Sequence, residues 1–520
     1  MKQSKKILTF LCSFSECLFF GGLTYGWVAL VFILKDRGFF SDECDADSTV
    51  APLLNESDDS CGSVVNSTEI SCPGQDGKLQ VVFMVAAFTI NGTAFIIGPI
   101  YDKYGTRLVR IVFSVFLALA FILLALSDPE KPNILFPATM FLSSGGIMIL
   151  LSNIQVGNLF GRWRSTIVTA FSGAFDSSAF VMLLVKIGYD GGVSMQTSFI
   201  ILAVATLGFN LNTWIFLPVK HIPWPLPSDW GKPTKVDEET KENPPEQEEM
   251  KVYGESEKVN GSHVDKTDDK NSSQSQLHDL LEREYPNLRT CFISPMYLLL
   301  LLWLSVIQLR HWFFLGTFNP WINGMSCDKS EVSKYTSAFA SVQFCGILFA
   351  PLCGLILDRN RKKKTSTGRD ASERTFLDDL EDSILAFVVT IIITLLFCVM
   401  IIVPILEVQY VTFVLQVLSR AFLYGLAAAF IATAFPMQYF GALYGSGMIL
   451  TAVFGLLQRP LFRITQSVSG GDPLAVNIFV LVLNFVPFLL PLYIHFYVKK
   501  KRVAISQQNG TADPLSPTVT

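Results

Sequence analysis

The chain has 520 residues, half of them hydrophobic and only 16% charged, against about 25% charged in an average globular domain. Its charges are gathered between long uncharged runs, which excludes an ordinary soluble fold. The net charge of −4 comes mostly from the stretch between Lys232 and Glu284, so the overall balance offers no basic surface for nucleic acid.

From the N-terminus, the first apolar run covers residues 7–34 and follows Lys2, Lys5 and Lys6. A cleaved secretory signal carries an apolar stretch of only about 7–15 residues and a small-residue cleavage site. The run is longer and lacks that site, so it reads as a spanning helix. A bilayer crossing needs about 20 mostly apolar residues. Runs of that kind follow at 79–101, 109–127, 134–159, 165–187, 196–217, 295–322, 332–357, 383–405, 408–435, 440–465 and 473–498. The expected architecture is an all-α polytopic membrane protein with spans 1 to 12. Six spans occupy residues 1–217 and six occupy 293–498, joined by a hydrophilic insert at 218–292 and followed by a tail at 499–520.

Lys and Arg placement sets the expected orientation. Lys103, Arg107, Arg110, Arg162, Arg164, Arg359, Arg361 and Lys499 to Arg502 share one set of loops with the N-terminal lysines. That set is expected in the cytoplasm, with both termini and the insert. The first loop on the other side, 35–78, holds sequons at Asn55 and Asn66 and the cysteines Cys44, Cys61 and Cys72. These fit a glycosylated, oxidising compartment. One cysteine pair is expected to bridge, with its identity open and Cys327 available to the third. The insert is rich in Pro, Glu and Lys and reads as a disordered linker. Its sequons at Asn260 and Asn271 are expected to go unused on the cytoplasmic side.

A short pattern repeats. Gly98-Pro99-Ile100-Tyr101-Asp102-Lys103-Tyr104-Gly105-Thr106-Arg107 follows span 2, and Gly354-Leu355-Ile356-Leu357-Asp358-Arg359 follows span 8. Both fit G-x-x-x-D-[KR] at equivalent places in two six-helix halves, which is how transporters are built from internal repeats. The pattern resembles that of the major facilitator superfamily. Glycine permits close helix approach, and the aspartate can accept from a helix N-terminus or an arginine across the seam. Gly98, Asp102, Lys103, Gly105, Arg107, Asp358 and Arg359 are therefore expected to form a conformational latch.

The same resemblance implies that spans 1, 4, 7 and 10 line a central cavity. Intramembrane polar groups are expensive and often functional. Glu16 lies in span 1, and Asn153, Gln155 and Asn158 lie in span 4. Gln308, His311 and Asn319 share one face of span 7, and Gln416, Arg420 and Tyr424 share one face of span 10. Asp176 lies in span 5. The expected substrate contacts are Gln308, His311, Asn319, Asn153, Gln155, Glu16, Arg420 and Tyr424. Inter-helix pairing, with Arg420 meeting Glu16 or Asp176, is the other reading of these charges. Arg310 lies off the span 7 face and belongs to a water-filled pocket or a neighbouring helix. Gly21, Gly22 and Gly26 are expected to interrupt span 1, and Gly316 and Pro320 to interrupt span 7.

No G-x-x-x-x-G-K-[ST] phosphate loop, zinc-spaced Cys/His cluster or G-x-S-x-G elbow occurs. Enzymatic chemistry, a metal and a cofactor are not expected. Longer strings, Leu151-Ser152-Asn153-Ile154-Gln155-Val156-Gly157-Asn158-Leu159-Phe160-Gly161, Gly173-Ala174-Phe175-Asp176-Ser177-Ser178 and Ser305-Val306-Ile307-Gln308-Leu309, resemble solute carrier family 43. That family moves large neutral amino acids or nucleobases. His221-Ile222-Pro223-Trp224-Pro225-Leu226-Pro227 and Gly316-Thr317-Phe318-Asn319 are similar to its nucleobase branch. Arg310 departs from the aromatic residue found there. The resemblance implies purine bases as substrates, moved without sodium or proton coupling at the plasma membrane.

Overall fold

The computed structural model describes residues 3–45, 72–209, 211–218, 222, 284–326, 328–357, 359, 376–436, 439–467 and 472–510. Among these the regular structure is helical, with no strand. Eleven helices are long and apolar enough to cross a membrane: Gln3–Asp36, Pro73–Ile97, Tyr104–Ala125, Pro132–Phe160, Thr166–Asp190, Met195–Ile215, Pro295–Asn323, Leu377–Ile402, Gln409–Ala434, Phe440–Ser467 and Leu474–Val503. Lys329–Gln343 and Gly346–Leu357, bent by 46°, make the twelfth as one broken span. The expected spans 1 to 12 correspond to these one by one, span 8 being the bent pair. Asn55, Asn66, Cys61, Cys327, Asp358, Asn260 and Asn271 lie outside the described residues.

Span 1 breaks where its glycines stand. An α-helix ends at Phe20, a 3₁₀ turn covers Leu23–Gly26, and a second helix runs Trp27–Asp36. The break is also a close approach. A Cβ placed on Gly146 of span 4 would sit 1.9 Å from the Gly21 carbonyl oxygen, so only hydrogen fits. Span 7 differs from expectation, because Pro295–Asn323 is one continuous helix through Gly316 and Pro320. Ser294 caps its start by accepting from the Tyr297 amide at 3.3 Å, and Pro295 stands where no intrahelical donor is needed. Pro320 falls in the last turn, where its missing N–H leaves only one carbonyl unserved.

One apolar core fills the first half and crosses to Phe314, Phe318, Phe339 and Phe413 of the second. Another lies inside the second half, around Trp303, Phe387 and Phe430. Spans 6, 9 and 12 turn Ile200, Val204, Ile392, Leu396, Phe479 and Val482 outward, a lipid-facing belt. Across the seam, span 2 packs on span 11 and span 5 on span 8.

The seam is sewn on the face opposite the termini. Lys186, fully buried in span 5, donates to Ser333 and Ser337 of span 8 at 2.6 and 3.1 Å and pairs with Asp190 at 2.8 Å. Lys329 pairs with Asp36. Arg459 donates to the Gly77 carbonyl at 2.7 Å, and Gln80 to that of Gln458 at 3.0 Å. Cys44 and Cys72 form a disulfide on the same face, with Cα atoms 5.6 Å apart. That closes the choice of partner left open by the sequence for these two cysteines.

Candidate functional site

The expected cavity residues separate into two groups. Glu16 and Asn153 belong to a buried ring inside the first half. Its hub is Arg110, which the loop reading had assigned to the cytoplasm. Span 3 begins at Tyr104, so Arg110 is already inside it, and it is fully buried. Its guanidinium donates to both Glu16 oxygens, the longer contact being 2.7 Å. It also donates to Asn153 Oδ1 at 2.6 Å, Ser152 at 3.3 Å and Thr213 at 2.8 Å. Asn153 closes the ring by donating to Glu16 and to the Ser13 carbonyl, both at 3.1 Å. All three guanidinium nitrogens are engaged, and charge-assisted bonds of this kind offset the cost of burial only when such satisfaction is complete.

Gln155 lies further toward the termini. Its amide donates to Thr106 at 2.9 Å and its oxygen accepts the Ile222 N–H at 2.7 Å. Asn158 donates to the Ile222 carbonyl at 2.7 Å. The segment after span 6 is thus tied by its backbone to span 4. Gly105 carries φ 78° and ψ −174°, a conformation essentially reserved for glycine, and this breaks the helical run between spans 2 and 3. The Arg107 guanidinium lies 4.8 Å above the Trp214 ring in the same half. Arg359 donates to the Ile356 and Asp382 carbonyls of its own half at 2.8 and 3.0 Å. Among the described residues, these contacts of both arginines stay within their own halves. Gly98, Asp102 and Lys103 are on the helical backbone, and their side chains lie outside the description.

The second group meets where the halves face each other. Arg420 of span 10 lies 3.6 Å from Asp176 of span 5, donates to Gln343 of span 8 at 2.6 Å, and sits 4.4 Å above the Tyr25 ring of span 1. The hydroxyls of Tyr25 and Tyr424 are 3.2 Å apart. Of the partners left open for Arg420, the structure selects Asp176. One turn away, His311 Nε2 contacts the Ser419 hydroxyl at 3.2 Å, which contacts Thr394 at 2.7 Å, and the imidazole stacks on Phe397 at 5.6 Å and 15°. Asn319 lies toward the sewn face and donates to the Val28 carbonyl at 3.3 Å.

Two members of this group are buried and unserved. Gln308 and Gln416 have no exposed surface, and neither amide oxygen nor nitrogen of either has a hydrogen-bond partner. His311 Nδ1 and Gln343 Nε2 are also without one. Spans 7 and 10 run antiparallel, so Gln308 stands about one helical turn to one side of the His311–Ser419 contact and Gln416 about one turn to the other. A buried amide without partners costs about 1–3 kcal/mol, and the two side chains together hold four such atoms. Phe314, Phe318, Phe339 and Phe413 close this region toward the sewn face, with Phe318 and Phe339 stacked at 4.9 Å.

Tyr25 and Gln343 were not singled out from the sequence. Attention to spans 1, 4, 7 and 10 excluded Gln343 of span 8, although a glutamine in an apolar run is itself a signal. Lys186 was missed because it closes span 5 and reads as a boundary charge.

The chain matches the model of the Major Facilitator Superfamily over residues 9–458. It is 34% identical over 498 residues to equilibrative nucleobase transporter 1 of Bos taurus, covering 95% of this chain and 97% of that one. It is 28% identical over 556 residues to large neutral amino acids transporter small subunit 3 of Homo sapiens, covering 96% and 94%. The crystal structure of a peptide transporter POT matches with a TM-score of 0.56 at 11% identity, over 94% of this chain and 95% of that one, which concerns the fold alone.

Proposed function

Because the chain belongs to the major facilitator superfamily, a superfamily of transporters rather than enzymes, we propose that it carries purine nucleobases such as adenine, guanine and hypoxanthine across the plasma membrane by alternating access. The single observation carrying this reading is the pair of fully buried, unpartnered amides of Gln308 and Gln416 flanking the His311–Ser419 contact between spans 7 and 10. A purine presents N–H donors and ring-nitrogen acceptors along a planar, uncharged edge, and amides and imidazole can serve both. The imidazole and Phe397 supply a flat aromatic wall. A zwitterionic amino acid needs a separate anion and cation site. The charges at this seam, Asp176 and Arg420, lie 3.6 Å apart, so each already has an opposite charge beside it, although Arg420 Nε and Nη1 make no hydrogen bond.

The reading includes facilitated diffusion down the base gradient, without sodium or proton coupling. The lysine- and arginine-rich face with both termini stands in the cytoplasm, and Asn55 and Asn66 carry glycans outside. The sewn face is then the extracellular one, and the structure is closed outward. The latch of Asp102, Lys103, Arg107, Asp358 and Arg359 belongs to the opposite state, in keeping with the contacts that Arg107 and Arg359 make within their own halves.

The test is uptake of radiolabelled adenine and leucine in cells expressing the chain, with and without sodium and at two pH values. Adenine uptake above control, insensitive to sodium and pH, is expected. Leucine uptake without adenine uptake would turn the assignment to the amino acid branch.

A further inference from the structure

A cavity lies inside the second half. It occupies about 550 Å³ between spans 7, 9, 11 and 12 and approaches the sewn face at Gly324, Pro404 and Asp472. Pockets of this size hold small organic molecules. Its walls are aromatic and aliphatic, with Phe313, Phe314 and Trp321 on one side and Ile401 on another. One charged group lines the interior, Arg310, which is 2% exposed.

Arg310 is bound very differently from Arg110. One terminal nitrogen donates to Asn477 at 2.8 Å, and Nε has no partner. The guanidinium lies 5.4 Å from the Phe397 ring and 5.9 Å from that of Phe313. No carboxylate among the described residues forms an ion pair with it. Its neighbours contribute one neutral amide and the faces of two rings, which compensate a buried cation only in part. Asp472 is exposed at the rim, where its carboxylate accepts from the Leu474 amide at 2.8 Å. It disfavours a second negative charge at the entrance.

We propose that this cavity is a binding site for a monocarboxylate with an apolar body, its carboxylate on Arg310 and its hydrocarbon or aromatic part against Phe313, Phe314 and Trp321. The planar guanidinium meets a carboxylate through two parallel N–H donors. The cavity lining includes neither Gln308 nor Gln416, so its occupation does not require the purine reading.

The test measures binding without transport. Purified full-length protein in detergent, with both faces open, is titrated with 4-phenylbutyrate, 4-phenylbutyramide, 4-phenylbutylamine and laurate, following the melting temperature. A saturable upward shift with the acids and none with the amide or amine is expected. Preference for phenylbutyrate assigns a water-borne ligand, and preference for laurate a membrane-borne one. Arg310→Gln should weaken acid binding by about tenfold to a hundredfold, the range for losing hydrogen bonds to a charged group. Gly324→Leu, where an added Cβ meets only ordinary contacts at 3.5 Å, should weaken binding by filling the cavity while leaving Arg310 in place. Equal shifts with acid and amide, or unchanged acid affinity in both variants, would overturn the proposal.

Discussion

The two halves bury polar groups in opposite ways. In the first, Arg110, Glu16, Asn153, Ser152 and Thr213 serve one another completely. In the second, Gln308, Gln416, His311, Gln343 and Arg310 all keep atoms without partners. A closed network rigidifies, because each member is held by the others and an opening exposes a charge. An open one is poised for a guest. The contrast separates intramembrane polarity that the protein itself serves from polarity it leaves open, and the proposed transport site rests on the second kind.

The sharpest way to break this comparison is to open the closed ring. Glu16→Ala should strand Arg110 and cost about 3–5 kcal/mol of stability, read as collapse of folded yield or melting temperature after solubilisation. The paired change Glu16→Leu with Arg110→Leu should recover much of that loss, since replacing a whole buried pair by apolar side chains is far milder than halving it. If the single variant folds normally and only uptake falls, Glu16 belongs to the substrate and the contrast fails.

A second, slightly smaller effect concerns whether the rigidity of the first half extends to its outer face. The Cys44–Cys72 disulfide closes a loop of sequence separation 28, for which chain-entropy arguments give about 3–4 kcal/mol. Cys44→Ser should therefore lower the melting temperature, and reductant should do the same to the parent but not to the variant.

The open group should respond in the reverse sense. Gln308→Leu or Gln416→Leu removes amides that nothing satisfies, so melting temperature should hold or rise. Adenine uptake should fall, with the Michaelis constant raised about tenfold for a loss of about 1.4 kcal/mol. A destabilised variant with intact uptake would mean that these amides are served by something other than a solute. An effect of similar size is expected at the edge of the closed ring. Gly105→Ala forces a side chain into a glycine-only conformation and should cost about 1–3 kcal/mol. Thr106, which bonds Gln155, should shift with it.

The spans were legible because a bilayer demands runs of fixed length, and even the broken span 8 was found as one run. The halves and their repeat were legible from G-x-x-x-D-[KR] at matching places. Within the site, His311, Gln308, Gln416, Arg420 and Tyr424 could be placed on shared faces by counting residues. What counting cannot supply is depth and partner. Arg110 looked like a loop charge because three basic residues stand close together there, and only packing reveals that the third is inside. Glu16 and Asn153 were drawn toward the cavity because their occupant, Arg110, was not available to claim them. Gly316 and Pro320 looked like breaks, but span 7 runs through both as one helix, with Phe83, Gln80 and Gln458 packed at Gly316.

The covalent staple between Cys44 and Cys72 has a consequence for evolution and for engineering. It fixes the exit of span 1 and the entry to span 2 with Cα atoms 5.6 Å apart, whatever the length of chain between them. Loop-closure entropy grows only with the logarithm of length, so residues can be gained or lost inside that loop at little thermodynamic penalty. Insertion of a short epitope between the two cysteines should leave uptake and melting temperature at parental values, giving a handle on the disulfide-bearing face, the extracellular one under the proposed orientation.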